Sequence, residues 1–274
     1  MVYPVPKTNN VVNSITRQAK YEPFDLQVAR GQVYGHSNVN IFGYNTAISS
    51  TTTAQNATIA IWENATAYTF PASAANLVLV SSSASDNTKA AISISGLDAN
   101  FNPISEIILL NGTSSVTTIN SYYRVNSMTM VVPGTSQVTN VGTITASQGS
   151  NIVAQINPGI GKTQAAIYTV PAGYSYYLYQ VEINTDNGYT GSQMYYNVLS
   201  KNNNTGVQFD VLQQAFTSVF TIDRSSTPFF YPEKSDIIWQ IGTNNSSNVQ
   251  VGAVINGKLI KNNPDAGNTF PGYF

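Results

Sequence analysis

Few residues of this chain have the type and spacing that catalysis or phosphate binding requires, and a Gly-rich pentapeptide is the first of them. GIGKT at 159–163 resembles the end of a phosphate-binding loop. That motif requires a glycine five residues before the Gly-Lys pair, and Ile156 occupies this position. No helix is predicted after the pentapeptide to present backbone N–H groups to a phosphate. We therefore interpret it as a hairpin loop.

The single histidine does not complete a catalytic unit. His36 is the only histidine of the chain, which excludes a metal centre built from several histidines. Ser37 follows it directly, and neighbours on a strand point to opposite faces, so the two side chains would not face each other as a Ser-His pair. We interpret His36 as a structural or surface residue.

Carboxylates offer one further route to catalysis, because glycoside hydrolysis uses two acids about 5–10 Å apart in a cleft. The sequence leaves such a pair open among six acids, which are Glu63, Asp86, Asp98, Glu106, Asp210 and Asp223. None of them lies in a recognisable motif. We predict no catalytic residue and no enzymatic activity.

The sequence also predicts no cofactor and no metal site. The chain has no cysteine, which excludes disulfides and thiolate metal ligands. Asn184-Thr-Asp-Asn-Gly188 resembles the start of a calcium-binding loop, but Met194 stands where the completing acidic residue is needed. A tight turn accounts for this segment.

The elements that carry these residues are predicted from composition to be strands. Charged residues make up 9% of the 274 residues, so Asn, Ser, Thr and Gln must supply most of the wet surface. Helices in water usually carry Lys, Glu and Arg, whereas Thr, Tyr, Val and Ile favour strands. With 42% hydrophobic residues, the chain can also bury a core. The predicted fold class is all-β.

Charge and hydropathy exclude two classes of partner. The net charge is −1, and the twelve basic residues are scattered singly, so no basic patch is available for nucleic acid. No run of apolar residues is long enough to span a membrane, and the N-terminus lacks the pattern of a signal peptide. If the protein acts outside a cell, we expect it to leave by lysis or inside a particle and not by the general secretion route.

From Phe24 onward, short apolar runs between Gly, Ser and Asn turns predict strands, and Leu26–Arg30 is one of them. Asn256-Gly257 is interpreted as a tight turn. This spacing is typical of a sandwich or barrel. We predict two tandem antiparallel β-sandwich domains of jelly-roll type, flanked by an extended arm and an aromatic tail. The predicted units are the arm at 1–22, domain 1 at 23–148, domain 2 at 149–262 and the tail at 263–274.

Echoes between the two halves indicate an internal duplication. Tyr68-Thr-Phe-Pro-Ala-Ser73 is matched by Tyr168-Thr-Val-Pro-Ala-Gly173, and Ser37-Asn-Val39 by Ser150-Asn-Ile152. The alternative is chance, because Asn, Ser, Thr and Val are common throughout the chain.

Aromatic residues near the two ends are candidates for docking between subunits. Phe270, Tyr273 and Phe274 close the chain, and exposing three aromatic side chains is costly unless a surface buries them. That surface is either a partner or the chain's own domain. Together with Tyr3 of the arm, these three residues are the predicted subunit-docking residues.

Five segments of the chain are distinctive as a set, and they are Val80-Ser-Ser-Ser-Ala-Ser-Asp86, Ile94-Ser-Gly-Leu-Asp-Ala-Asn100, EIILLNGT at 106–113, Tyr123-Arg-Val-Asn126 and Tyr168-Thr-Val-Pro-Ala-Gly173. Together they resemble a family of virion structural proteins of tailed phages, particularly phages of aquatic bacteria. The chain departs from the family pattern between Asp86 and Ile92, where it is shorter and has fewer glycines. The resemblance implies a component of the head or tail and brings no catalytic residue with it.

The expected function is therefore assembly, with capsid decoration of the cement or head-fibre kind as the leading hypothesis. The expected partners are further copies of the chain in a symmetric homo-oligomer, for which a trimer is one option, and the major capsid protein or other virion proteins. A tail-associated protein is one alternative. A carbohydrate-binding module for a host surface glycan is another, with Trp62 or Trp239 as a stacking platform, although both lie in apolar strand patterns that predict burial.

Overall fold

The computed structural model describes residues 22–49, 59–64, 66–87, 89–134, 138–186, 193–217, 219–244 and 248–262. Of these residues, 59% are in strands and 3% in helix, which confirms the all-β prediction. The helix is α1 (Phe24–Ala29). The strands are β1 (His36–Ile48), β2 (Ile59–Ala60), β3 (Ala75–Ser81), β4 (Ala91–Leu97), β5 (Pro103–Leu109), β6 (Val116–Tyr122), β7 (Arg124–Val132), β8 (Ile144–Gln148), β9 (Asn151–Ile156), β10 (Ile167–Thr169), β11 (Tyr174–Thr185), β12 (Met194–Asn202), β13 (Gln208–Phe216), β14 (Val219–Asp223), β15 (Phe229–Tyr231), β16 (Ser235–Thr243) and β17 (Val249–Lys261).

Two of the four antiparallel sheets enclose one core and form a jelly roll. Sheet 1 has the order β1-β17-β11-β14, with β15 also on β11, and sheet 2 has the order β10-β16-β12-β13, with β2 also on β16. When β1, β2, β11, β12, β13, β14, β16 and β17 are numbered one to eight, the sheets read 1-8-3-6 and 2-7-4-5. This is the strand order of an eight-stranded jelly roll with two Greek keys. Its core is aromatic, with Tyr176, Tyr196 and Trp239 fully buried.

The other two sheets form a second sandwich that is inserted into the jelly roll. Sheet 3 has the order β6-β3-β8-β9 and sheet 4 the order β5-β4-β7, and both contribute to a separate core. The chain leaves the jelly roll after β2 and returns at β10, and both of these short strands pair with the same strand, β16. The inserted sandwich is therefore connected to the jelly roll at the β2 and β10 edge of sheet 2, and β13 lies at the opposite edge.

The tandem arrangement predicted from the sequence is corrected by these pairings. β1 pairs with β17 from His36 to Ile48, and β8 pairs with β9, so contacts cross the predicted division between residues 148 and 149. The two units also differ in strand number and order, and Tyr68 lies in a loop whereas Tyr168 lies in β10. The structure does not show the predicted duplication. Short echoes in a chain rich in Thr, Asn and Val reflect shared strand and turn chemistry.

The strand predicted at Leu26–Arg30 is a helix. Pro23 stands at its N-cap and Asp25 in its first turn, and Gly31 follows it with a positive φ of 68°. The N–H groups of Gly31 and Gln32 bond back to the carbonyls of Val28 and Gln27, which closes the helix. Helix boundaries are often marked by a proline at the start and a left-handed glycine just past the end. Here these two signals outweigh the strand-like alternation of the apolar residues Leu26 and Val28.

The turn predicted at Asn256-Gly257 lies instead in the middle of β17. Both residues pair with β1 on one side and β11 on the other. A Cβ on Gly257 would lie 2.4 Å from atoms of the Tyr176 ring. The glycine is therefore needed for close packing of the tyrosine against the strand, not for a reversal of the chain.

A buried ion pair joins the two units. The Arg124 guanidinium, on β7 of the inserted sandwich, donates to both carboxylate oxygens of Asp236 on β16, each at 2.8 Å. Arg124 Nη1 also donates to the carbonyls of Pro71 and Tyr123, and Asp236 accepts from Thr169 and Asn203. The side chains of Arg124 and Asp236 are 3% and 1% exposed. A bidentate pair with its remaining donors and acceptors satisfied holds two units in one orientation.

Asn126 adds a second polar link between the units. Its side-chain amide donates to the carbonyl of Thr169 at 3.1 Å and accepts from the N–H of Thr169 at 3.0 Å. The Asn126 side chain therefore makes the same pair of backbone hydrogen bonds to β10 that an adjacent strand would make. An apolar cluster that includes Trp62 and Ile167, with Tyr68 and Ile152 packed against it, completes the junction.

A glycine beside the ion pair gives a stability prediction. A Cβ on Gly96 would lie 2.2 Å from the carbonyl oxygen of Arg124 and 2.8 Å from Cδ1 of Tyr122. Since backbone cannot move aside as a flexible side chain can, we expect Gly96→Ala to lower the free energy of unfolding by about 3 kcal/mol. Urea denaturation checks this. Gly252→Ala, where a Cβ meets nothing within 4 Å, is the matched control, and equal effects of the two changes would contradict the explanation.

Glu63 gives a pH prediction at the same junction. Its Oε1 accepts from the N–H of Gln164, while Oε2 is buried without a partner among the described residues. Burial raises the pKa of Glu63 from 4.5 to about 8. A raised pKa means that the folded state favours the protonated form of Glu63. The stability that protonated Glu63 contributes is therefore complete below pH 4.5 and is lost as the pH rises to about 8.

We therefore expect Glu63→Gln to stabilise the protein at pH 8 and to have little effect at pH 4.5. Because the residue is partly exposed, we expect about 2 kcal/mol at pH 8, well below the full linkage value. Urea denaturation at both pH values measures the difference. Glu22→Gln, at a residue near the surface helix, serves as the control, and a Glu63→Gln effect independent of pH would contradict the buried acid.

Candidate assembly surface

One edge of the jelly roll exposes apolar side chains. β13 and β14 are terminal strands of sheets 2 and 1, respectively. Val207, Phe209 and Val219 are 57%, 50% and 57% exposed at this edge. We call these three residues, together with Phe216 and Phe220, the open edge.

The open edge is continuous with the core of the jelly roll. The rings of Phe216 and Phe220 stack with their centroids 5.5 Å apart, and Phe220 contacts Tyr196 with centroids 5.4 Å apart. Phe216 and Phe220 are only partly buried, whereas Tyr196 is fully buried. Among the described residues, the core is therefore incompletely covered on this side, and apolar surface of this kind is typical of an interaction site.

Charge is scarce along the open edge. Between Val207 and Arg224 the only charged residues are Asp210, Asp223 and Arg224. Asp210 accepts from Nδ2 of Asn197 at 3.1 Å, and Asp223 accepts from the N–H of Ser225 at 2.8 Å. Charged side chains at sheet edges commonly prevent pairing with another chain. Of the nine residues of β13, only Asp210 is charged, and the strand has a bulge at Val211.

Three other terminal strands, β6, β7 and β10, have polar contacts along their edges within the described residues. The Glu106 carboxylate accepts from the N–H groups of Ile119 and Asn120 at the edge of β6. The segment around Lys162 pairs with β7 at Thr129, and Asn126 binds β10 at Thr169. No equivalent covering of β13 or β14 is seen among these residues.

The inserted sandwich exposes a smaller apolar patch. Ile107 and Leu109 alternate on the outer face of β5 with 67% and 57% exposure. Leu109 and Val132 both pair with Ala91, one on each side of β4. We call Ile107, Leu109 and Val132 the sheet 4 patch. Each unit thus exposes an apolar surface among its described residues.

The subunit-docking residues predicted from the sequence lie outside the described residues. These are Tyr3 in the arm and Phe270, Tyr273 and Phe274 in the tail. The structure therefore does not test them. Sequence reasoning missed the open edge, because Val207–Leu212 and Phe216–Ile222 read as ordinary strands and the pattern does not reveal which strands end a sheet.

The candidate chemical residues all have structural contacts. Nδ1 of His36 lies 3.0 Å from the carbonyl oxygen of Tyr34, and its ring packs edge-on against Phe24. The Asp86 carboxylate is buried and accepts from Ser81 and from the N–H groups of Val141 and Gly142. Asp98 binds the turn at Asn100 and Asn102. Asp86 and Asp98 therefore each hold a local backbone segment in place.

The remaining motifs fit the same description. Gly159 and Gly161 have positive φ angles of 78° and 72° in a turn, and the ammonium of Lys162 lies 4.4 Å from the centroid of the Phe42 ring. Strand β10 follows, not a helix. Trp62 and Trp239 are buried, as their strand patterns predicted, so neither is a platform for sugar stacking. Within the described ranges, no group of three or more His, Asp or Glu could hold a metal ion, and no helix is long and apolar enough to cross a membrane.

Comparison with known proteins gives structural likenesses only. No protein-family model and no curated protein sequence matches the chain. A structure of the triple jelly-roll fold and turret assembly in an archaeal virus matches 82% of this chain at 9% identity with a TM-score of 0.25, and this chain spans 60% of its length. A structure of the infectious bursal disease virus Gt strain matches 88% of this chain and 78% of its own at 10% identity, with a TM-score of 0.18. A crystal structure of the VP2 subviral particle of that virus matches 88% of this chain and 83% of its own at 8% identity, also with a TM-score of 0.18.

Proposed function

We propose that this chain is a non-enzymatic virion structural protein that acts by associating with copies of itself and with other proteins of the particle. The observation that carries the proposal is the open edge, where the aromatic core of the jelly roll continues to the surface. The sequence resemblance to virion proteins of tailed phages supports the same assignment. Within a virion, we assign the chain to capsid decoration.

The positions of the two apolar surfaces support a role in assembly. The inserted sandwich belongs to the β2 and β10 edge of sheet 2, and the open edge lies at the β13 side. The Arg124–Asp236 pair fixes the two units in one orientation. A rigid subunit with an apolar surface on each unit can contact two neighbours at once, which a symmetric oligomer or a surface lattice requires.

Apolar contacts also suit the low charge of the chain. Only 9% of the residues are charged, so few ion pairs are available to an interface. Association through the open edge would then depend on buried apolar area and would be little weakened by salt. A particle component benefits from contacts that persist across ionic conditions.

The arm and the tail extend this proposal. We place Tyr3, Phe270, Tyr273 and Phe274 against neighbouring subunits or the major capsid protein, because three aromatic side chains within five residues are costly to leave in water. A tail-associated location would use the same surfaces in a ring around the tail axis. The carbohydrate-binding alternative is favoured by a separate groove on sheet 1, described below.

The test is the mass of the full chain in solution, measured by sedimentation equilibrium from about 1 to 100 μM, the range in which moderate protein contacts form. The proposal predicts a discrete oligomer whose dissociation constant changes less than about threefold between 0.1 and 1 M NaCl. A chain that stays monomeric throughout this range would contradict it. So would an oligomer that dissociates fully in 1 M salt, since its contacts would then be ionic.

A further inference from the structure

The outer face of sheet 1 carries an open groove with a volume of about 560 Å³. It is lined by residues of α1, β1, β17 and β11, and Phe24 and Tyr179 are the aromatic residues among them. A groove of this size fits one or two sugar rings, within the roughly 300–1,000 Å³ range of small-molecule sites. It shares sheet 1 with β14, but none of the open-edge residues lines it.

The groove is lined with side-chain amides. Asn38 and Asn40 point to the same face of β1, and Asn256 pairs with Asn40 from the neighbouring strand. Nδ2 of Asn256 donates to Oε1 of Gln180 on β11 at 3.1 Å, so Asn40, Asn256 and Gln180 form a row across three strands. Asn38 and Asn40 are exposed and make no side-chain hydrogen bond within the described part of the chain. An amide offers one acceptor and two donors, which matches adjacent sugar hydroxyls.

Aromatic rings and one ion pair also line the groove. The ammonium of Lys258 lies 4.9 Å from the centroid of the Tyr179 ring and 5.5 Å from that of Phe24, and it is paired with the carboxylate of Asp25. These contacts hold both rings in place as apolar walls. Because the only two charges of the lining neutralise each other, the groove has no excess charge to attract an anion or a cation.

We propose that this groove binds a neutral saccharide, with the amides of Asn38, Asn40 and Asn256 bonding its hydroxyls and Phe24 and Tyr179 contacting its apolar ring faces. The amide row supplies direction and the rings supply apolar contact, which is the combination that an uncharged, hydroxyl-rich ring requires. The site differs from the two tryptophans, which are buried. The inference does not depend on self-association.

The experiment is a titration of the full-length, ¹⁵N-labelled chain followed through its side-chain amide resonances. The probes are glucose, galactose, mannose, N-acetylglucosamine and the disaccharides cellobiose, lactose and chitobiose. We expect at least one of them to shift the Asn38, Asn40 and Asn256 resonances saturably, with a dissociation constant of about 1 mM or tighter.

Two variants locate the site. Asn40→Ala, at an exposed position that leaves folding intact, should weaken binding by about tenfold or more because two or three hydrogen bonds are lost. Asn184→Ala is the matched control, since Asn184 is an exposed amide of sheet 1 outside the groove, and binding should change by less than about twofold. Spectra of both variants without sugar confirm folding.

Three outcomes would overturn the proposal. The first is the absence of saturable shifts with any probe up to about 20 mM, well above the expected constant. The second is equal binding by the wild-type chain and Asn40→Ala. The third outcome uses two charged counterparts, 6-sulfated N-acetylglucosamine and 3′-sialyllactose. Binding of these two sugars alone would show that charge, and not the amide row, recognises the ligand.

Discussion

Replacing Arg124 with alanine should lower the free energy of unfolding by about 3–5 kcal/mol, because it leaves the Asp236 carboxylate buried without its cation. The loss includes two charge-assisted bonds of 2.8 Å and the contact of the guanidinium with the Tyr123 ring, 3.9 Å from its centroid. Arg124→Lys should recover only part of the loss, since an ammonium cannot bond both carboxylate oxygens in the same plane. Urea denaturation followed by tryptophan fluorescence measures both variants.

Arg30→Ala is the control for this experiment. Arg30 forms an ion pair with Glu22, but its side chain is 57% exposed, so the change should cost less than about 1 kcal/mol. If Arg124→Ala were no more destabilising than Arg30→Ala, the buried pair would not be the link that holds the two units together.

Replacing Phe209 with aspartate should weaken self-association by about 30-fold or more, because a charge would enter the centre of an apolar contact. Phe209 is half exposed in the isolated chain, so the folded subunit should lose less than about 1 kcal/mol of stability. Val219→Asp, on the neighbouring strand of the open edge, should have a similar effect. Sedimentation equilibrium gives the dissociation constants.

Ile119→Asp is the matched control for the open edge. Ile119 is 92% exposed on β6 of the inserted sandwich and is not part of the open edge, so the same kind of change should leave association within about twofold of the wild-type value. Equal dissociation constants for Phe209→Asp and the wild type would exclude the open edge as the interface. Equal weakening by Ile119→Asp would show a general effect of charge.

Strands were the most predictable part of the fold. Runs such as Ile104–Leu110 and Tyr174–Ile183 combine β-branched and aromatic residues with flanking turn residues, and the structure has β5 and β11 there. The exceptions have local causes. Proline and a left-handed glycine enclose α1, and Gly257 in β17 makes room for the ring of Tyr176.

The arrangement of the strands could not be predicted. A jelly roll places its first strand beside its last, so β1 pairs with β17 more than 200 residues away, and nothing in the local pattern of either strand identifies the partner. The insertion between β2 and β10 could not be predicted either. The two strands that flank it, Ile59–Ala60 and Ile167–Thr169, are only two and three residues long and give no recognisable pattern.

The candidate surfaces follow from that arrangement. Phe216 and Phe220 become surface residues only because β13 and β14 end their sheets. Asn40 and Asn256 become neighbours only through the pairing of β1 with β17. At GIGKT the sequence itself excludes a phosphate-binding loop, because Ile156 stands where the motif requires a glycine, whereas the sequence leaves a pair among the six acids open.

The most direct test of the central claim is to locate the chain on virus particles purified from infected host cells, using cryo-electron microscopy with an antibody fragment against the inserted sandwich. The proposal predicts that the fragment decorates regular, symmetry-related positions on the particle, and that capsid decoration gives these positions on the head. Particles that lack the chain, or fragment density absent from both head and tail, would contradict a role as a virion structural protein.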